Sequence, residues 1–204
     1  RLSITGTDME VELITSVEAK VDSPGEITVP ARKLVDIVRM LPEGASLQAV
    51  LEGDKLTISS GRGRYTLATL PATEFPATDQ VETLELIKIQ EVKLKNLLDK
   101  TAFAMANQDV RYYLNGLLFD FHDGTLSTVA TDGHRLAVCD LDKDLGLAEQ
   151  RQLIVPRKGV LELSRMLSDG DGMVELALGK NHIRLVKGNS IFTSKLIDGR
   201  FPEY

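Results

Sequence analysis

The chain carries one pattern twice. Val29-Pro30-Ala31-Arg32-Lys33-Leu34-Val35-Asp36-Ile37-Val38-Arg39-Met40-Leu41 runs parallel to Val155-Pro156-Arg157-Lys158-Gly159-Val160-Leu161-Glu162-Leu163-Ser164-Arg165-Met166-Leu167, 126 residues further on. Leu56 and Ile183, Gly61 and Gly188, and Tyr65 and Phe192 follow at a spacing of 127, and Phe75-Pro76 and Phe201-Pro202 return to 126. Upstream, Thr7-Asp8 stands opposite Thr131-Asp132. Matches that keep their order over such a distance mark a duplicated unit, which restricts the fold to architectures that set one module beside another.

Each copy reads alike. An apolar strand (27–29; 153–155) runs into a proline at the start of a helix, where a missing N–H costs nothing. The helix ends near Leu41-Pro42 or Leu167-Ser168. Short strands with turn residues between them follow, over 46–51, 55–59 and 64–70 in the first copy and 174–178, 181–186 and 190–196 in the second. The second copy is preceded by a further strand (84–89) and an amphipathic helix from Val92 to about Met105, with Leu94, Leu97, Leu98, Thr101 and Met105 on one face. Strands over 116–121, 125–130 and 134–141 complete it. The fold class is therefore α+β, built from duplicated β-α-β-β-β units whose antiparallel sheets carry the helices on one side. Pro71 to Val81 is the expected linker, dividing the chain into domains over 1–82 and 83–204.

The 204 residues suffice for one large domain or two small ones with their own cores. No apolar run approaches the length of a membrane span, and no signal peptide opens the chain. The lone Cys139 rules out an internal disulfide framework and fits a reducing cytosol. Arg1 lies inside what reads as a strand, so the chain is expected to be a fragment of something longer. The net charge of −6 argues against non-specific nucleic-acid binding unless the basic residues gather on one face.

The helix faces supply such a gathering. Leu34, Val35, Ile37, Val38 and Leu41 are the expected buried stripe of the first helix, with Arg32, Asp36 and Arg39 opposite. Val160, Leu161, Leu163 and Leu167 form the equivalent stripe of the second, with Lys158, Glu162 and Arg165 opposite. For one helix, base–acid–base on the outer face means a solvated surface with intrahelical pairs. Its recurrence favours a surface that follows a phosphate backbone without reading sequence. The loop from Asn107 to Tyr113 adds two tyrosines beside Gln108 and Arg111, which suit base stacking and phosphate contact, or packing on the sheet as the next strand begins.

Catalytic patterns are missing. Asp132 and His134 stand two apart, but no third ligand follows at suitable spacing, and no nucleophile elbow, Walker loop or His-Glu-x-x-His occurs. No metal or cofactor is expected.

Asp109-Val110-Arg111-Tyr112-Tyr113-Leu114-Asn115-Gly116, Val129-Ala130-Thr131-Asp132-Gly133-His134-Arg135-Leu136-Ala137, Val155-Pro156-Arg157-Lys158-Gly159 and the stretch from Phe192 to Pro202 resemble the bacterial DNA polymerase III β sliding-clamp family. The resemblance runs over essentially the whole chain. It implies the DNA-clamp fold, with helices on the inner face of a ring, sheets outside and three similar domains per protomer. Residues 1–82 would be the latter part of the first domain and 83–204 the second, with the third absent. It implies a non-catalytic processivity factor, a homodimer in full length, acting in the cytoplasm with no membrane. The partners would be duplex DNA, the DNA polymerase III α subunit, the clamp loader, and other polymerases and repair proteins. By position, Arg32, Arg39, Gln108, Tyr112, Tyr113, Arg157, Lys158, Arg165 and Lys195 would touch DNA. Leu114, Thr131, Gly133, His134, Arg135, Leu136 and Pro202 would form one wall of a partner-peptide pocket. Lys33, Lys55, Arg62, Arg64 and Tyr65 would belong to the dimer contact. The pocket assignment suits the chemistry, since a peptide groove wants apolar walls with a few orienting polar groups.

Overall fold

The structure, a computed structural model, describes residues 1–76, 82–141, 144–147 and 149–204. In chain order the first elements are β1 (Leu2–Thr7), β2 (Val11–Val17), β3 (Ile27–Thr28), α1 (Ala31–Arg39), β4 (Gln48–Glu52), β5 (Lys55–Ser60), β6 (Gly63–Ala68) and β7 (Leu70–Pro71). Next come β8 (Thr83–Gln90), α2 (Glu91–Thr101), β9 (Gly116–His122), β10 (Thr125–Thr131) and β11 (Leu136–Asp140). The last are β12 (Arg151–Pro156), α3 (Arg157–Met166), β13 (Met173–Gly179), β14 (His182–Lys187) and β15 (Ser190–Lys195). They form two compact units, Arg1–Glu18 with Thr78–Tyr204, and Ala19–Ala77.

In the larger unit a six-stranded antiparallel sheet has the order β1-β2-β15-β14-β13-β8, and a four-stranded one the order β11-β10-β9-β12. One core joins both sheets to α2 and α3. Leu94, Leu97, Leu98 and Thr101 recur at three- and four-residue steps on α2, and all are buried there, as the apolar periodicity predicts. Each fully buried leucine contributes about 2 kcal/mol. The helix is shorter than the expected span to Met105: it ends at Thr101, whose hydroxyl donates to Leu97 O, and a 3-10 turn (Ala102–Ala104) carries the chain on. β9 is buried on both faces. Leu117, Phe119 and Phe121 enter the main core, while Leu118 joins Ala106, Leu114, Val129, Ile154 and Phe201 on the other side. Gly116 opens that strand because a Cβ there would lie 2.6 Å from Val155 O on β12.

The smaller unit is a three-stranded sheet, β4-β5-β6, with the short pair β3-β7 and helix α1. Its buried centre is Ile37, Ile58 and Leu67, ringed by Val29, Leu34, Leu56 and Tyr65. Both copies of the helix open as expected, with Pro30 and Pro156 in extended conformation at the N-cap.

Three expected core positions are exposed: Val35 (43%), Val38 (47%) and Leu161 (40%). For the two on α1 the cause is the number of neighbours. A helix pressed on a sheet buries a narrow stripe, here Leu34 and Ile37 or Val160 and Leu163. Val35 and Val38 on the flanks of α1 would need a second helix to cover them, while Leu161 lies on the outer side of α3 with Lys158 and Arg165. In α3 the counterpart of Val38 is Ser164, whose hydroxyl reaches Asp99 of α2 at 3.3 Å. No second α-helix exists in the smaller unit among the described residues. Strand edges moved too. The expected strand 134–141 begins only at Leu136, because Asp132 to Arg135 are held in a turn, and Leu70-Pro71 pairs with β3 instead of extending β6 or opening the linker. Residues 77–81 of the expected linker lie outside the described residues.

Candidate nucleic-acid and peptide interface

An open cleft of about 520 Å³ crosses the larger unit. One wall is α3, with Arg157, Lys158, Leu161, Glu162 and Arg165; the other is the loop before β9, with Asn107, Gln108 and Asn115, and Glu10 from the β1–β2 turn. Successive turns of α3 bring Lys158, Leu161, Glu162 and Arg165 to one side, since residues three and four apart stack on a helix. Gln108 stands in the left-handed region at φ 58° and is exposed. Lys195 lies beside this rim, its N–H donating to Glu10 O at 2.9 Å.

The cations are not all equally available. Arg157 is half-buried and donates from Nη1 to Met105 O at 3.2 Å. Lys158 pairs with Asp8, and Arg165 with Glu162. Neither Asp8 nor Glu10 stood among the expected contact residues, and the Thr7-Asp8 match was the signal that pointed to that turn. Tyr112 is exposed and Tyr113 half-buried, edge to face at 5.7 Å between ring centroids. The packing reading holds for Tyr113, which joins the Leu114 cluster, while the Tyr112 ring faces solvent. Arg32 and Arg39 are exposed on α1 in the smaller unit.

The second group of residues converges on the β10–β11 turn. Thr131 Oγ1 donates to Arg135 O (2.7 Å) and accepts the Gly133 N–H (3.0 Å). Asp132 Oδ1 accepts the N–H groups of His134 (2.9 Å) and Arg135 (3.0 Å), and Oδ2 accepts from Arg135 Nε (3.0 Å). These bonds, led by the His134 N–H, hold the Asp132 carboxyl below its ordinary range. Gly133 takes φ 87°, which favours glycine. The Arg135 guanidinium lies 5.6 Å from the Phe103 ring centroid. Leu136 is half exposed, and Val138, two residues on along the same face of β11, is exposed too. Leu114 lies beneath the surface with Phe201, and Pro202 is exposed next to it.

Between these groups, Arg111 grips Asp109 through its own N–H (2.8 Å) and Nε (3.0 Å) to Oδ1 and through Nη2 to Oδ2 (2.8 Å). The side-chain bonds from Arg111, then its N–H, hold the Asp109 carboxyl down to about 2. In the smaller unit, Arg62, Arg64 and Tyr65 share one end of the β5–β6 hairpin, while Lys55, opposite Ala68, is at the other end, and Lys33 is exposed on α1.

A family model for the DNA polymerase III beta subunit, central domain, matches residues 88–203, and one for the N-terminal domain matches residues 1–79. The chain belongs to the DNA polymerase III beta subunit family. It is 52% identical over 205 residues to the beta sliding clamp of Pseudomonas aeruginosa and 50% identical over 204 residues to that of Escherichia coli K12, covering 100% of this chain and 56% of each relative. The crystal structure of the P. aeruginosa DNA polymerase III subunit beta superimposes with a TM-score of 0.94 at 52% identity, over 99% of this chain and 56% of that one. The chain thus spans a little over half the length of the clamps it matches, and the antiparallel sheets with their paired helices are the clamp fold.

Proposed function

We propose that this chain is part of a non-catalytic sliding clamp that encircles duplex DNA and tethers the replicative polymerase. The observation that carries the reading is the α3 cleft, where Gln108, Arg157, Lys158 and Arg165 meet on one surface of an otherwise acidic chain. The same base–acid–base face recurs on α1 as Arg32, Asp36 and Arg39. Cations partly matched by Asp8 and Glu162 suit a tether, which needs weak, salt-sensitive phosphate contacts that let it slide. No base-reading element is required.

The Thr131–Leu136 turn, with Leu136, His134, Arg135 and Pro202, is the proposed wall of the pocket that takes short peptides from the DNA polymerase III α subunit, the clamp loader and repair proteins, while Leu114, expected in that wall, is buried. Exposed apolar side chains beside orienting polar groups support it. β11 is the edge of its sheet, whereas its counterpart β2 is flanked by β15. A further copy of the module would give β11 such a neighbour and continue the ring. Arg62, Arg64 and Tyr65, with Lys33 and Lys55, are the proposed basic side of a homodimer contact. The proposed site of action is the cytoplasm. No helix among the described residues is long and apolar enough to cross a membrane.

The test uses the full-length clamp. Charge reversal by Arg39→Glu with Arg165→Glu is expected to shorten retention on nicked circular DNA and to spare binding of a polymerase-tail peptide. Leu136→Ala with His134→Ala should do the opposite. Unchanged retention in the first variant leaves a protein scaffold with no DNA role as the better reading.

A further inference from the structure

We propose that Arg111 is a positioning residue shared by the DNA face and the peptide pocket, so that its ion pair with Asp109 sets the geometry of both. The inference rests on the two-site reading above.

Arg111 lies at the junction. Its three bonds to Asp109 fold the loop after Gln108 back on itself in a planar fork, the strongest pairing available to a guanidinium. The same Nη2 reaches across to Asp132 O at 3.2 Å, in the turn that carries His134 and Leu136. Gly133 makes room for this, since a Cβ there would lie 3.0 Å from Arg111 Nη1. Arg111 O also accepts the Leu114 N–H at 2.8 Å, which fixes the buried leucine that packs with Val129 of β10 and with Phe201.

On the other side, Asn115 holds the Asp109 backbone twice, accepting its N–H at 2.9 Å and donating to its carbonyl at 2.8 Å. Asn115 O in turn accepts the Arg157 N–H at 2.9 Å, at the first residue of α3. An unbroken hydrogen-bonded path therefore runs from the pocket turn through Arg111, Asp109 and Asn115 to the basic helix. Tyr112 and Tyr113, the next residues after Arg111, inherit their placement from it.

The arrangement makes a prediction opposite in sign to simple electrostatics. Asp109 sets a carboxylate next to Gln108 on a face proposed to meet phosphates, so on charge alone its removal strengthens DNA binding. As one half of the positioning pair, its removal weakens DNA binding and peptide binding together.

The experiment measures, in the full-length clamp, the dissociation constants of a short fluorescein-labelled DNA duplex and of a labelled peptide copied from the polymerase α-subunit tail. Asp109→Asn is expected to weaken both on the order of fivefold, the low end of coupling between sites. Arg111→Lys keeps the charge but loses the fork, and is expected to weaken both as well; it decides the case should Asp109→Asn melt early. Tighter duplex binding by Asp109→Asn, or wild-type affinities in Arg111→Lys, overturns the proposal and makes the pair a surface ion pair. A wild-type clamp that binds neither probe overturns the two-site reading itself.

Discussion

Asp8 and Asp132 occupy the same place in two copies of one turn. Each carboxylate accepts through Oδ1 the N–H groups two and three residues ahead, Glu10 and Val11 in one case, His134 and Arg135 in the other. The threonine before each aspartate repeats as well, Thr7 Oγ1 bonding Val11 O as Thr131 Oγ1 bonds Arg135 O. What differs is the outer partner: Asp8 pairs with Lys158 on α3, Asp132 with Arg135 beside it.

The residue after each aspartate is left-handed, Met9 at φ 73° and Gly133 at φ 87°. Only the second has the residue that this conformation favours. Met9 is exposed, so little burial is lost on shortening it. Met9→Gly is expected to stabilise the fold by roughly 1 kcal/mol, read as a higher midpoint in urea. A lower midpoint would show that the methionine makes up its strain through packing.

Glu91, the first residue of α2, is 5% exposed and accepts from Lys187 Nζ and from the Ser168 hydroxyl and N–H. Lys187 also donates to Met166 O at 2.7 Å, so the pair joins the start of α2, the end of α3 and β14. Lys187→Met leaves the buried carboxylate without its cation and with only the Ser168 donors, and is expected to lower stability at neutral pH by about 3 kcal/mol. Burial pushes the Glu91 carboxyl up, but the bonds from Lys187 and Ser168 together outweigh it and its pKa is lowered from 4.5. A lowered folded pKa gives stability that is present above the unfolded value and lost as pH falls through the folded one. The gap in urea midpoint between wild type and Glu91→Gln should therefore narrow as the solution is acidified below pH 4.5. A constant gap would assign the effect to packing alone.

The Asp109 carboxyl, held to about 2 by Arg111, is expected to stay ionised through the ordinary aspartate range. Its carboxyl-carbon NMR shift should remain flat on acidification past 3.8, the ordinary value, and the titration midpoint should rise toward that value in Arg111→Ala. The ion pair is thus complete above the unfolded value and is lost only as pH drops toward 2. A midpoint near the ordinary value in the wild type would mean that the fork is open in solution.

Asp8→Asn keeps an oxygen that can accept the two turn N–H groups while removing the charge that pairs with Lys158. It is expected to tighten duplex binding in the full-length clamp, whereas Lys158→Ala and Arg165→Ala should each flatten the salt dependence of log K by about one unit if each neutralises one phosphate. Slopes identical to wild type would remove α3 from the DNA face.

Much of this was legible because it depends on near neighbours. The Leu94, Leu97, Leu98 and Thr101 stripe follows from helical period, and the hairpins over 116–131 and 173–195 follow from alternation and turn residues. The Thr-Asp turn was legible as a match between copies. Val35 and Val38 were not, because exposure on a helix flank depends on whether a second helix lies beside it, nor was Leu161, which stays exposed on the outer side of α3 although α2 lies beside that helix. The same limit hid Glu91, an ordinary first-turn acid until Lys187, 96 residues away, is folded onto it.

By itself, then, the sequence determined the module, its duplication, the inward stripe of α2 and the base–acid–base faces, since periodicity records which side of a local element avoids water. The tertiary structure alone decided that β2 pairs with β15 in one sheet, that Lys158 meets Asp8, and that Arg111 joins Asp109 to Asp132. Those contacts link residues that the chain's local period does not relate; they arise when burial brings distant strands together and their polar groups must find partners.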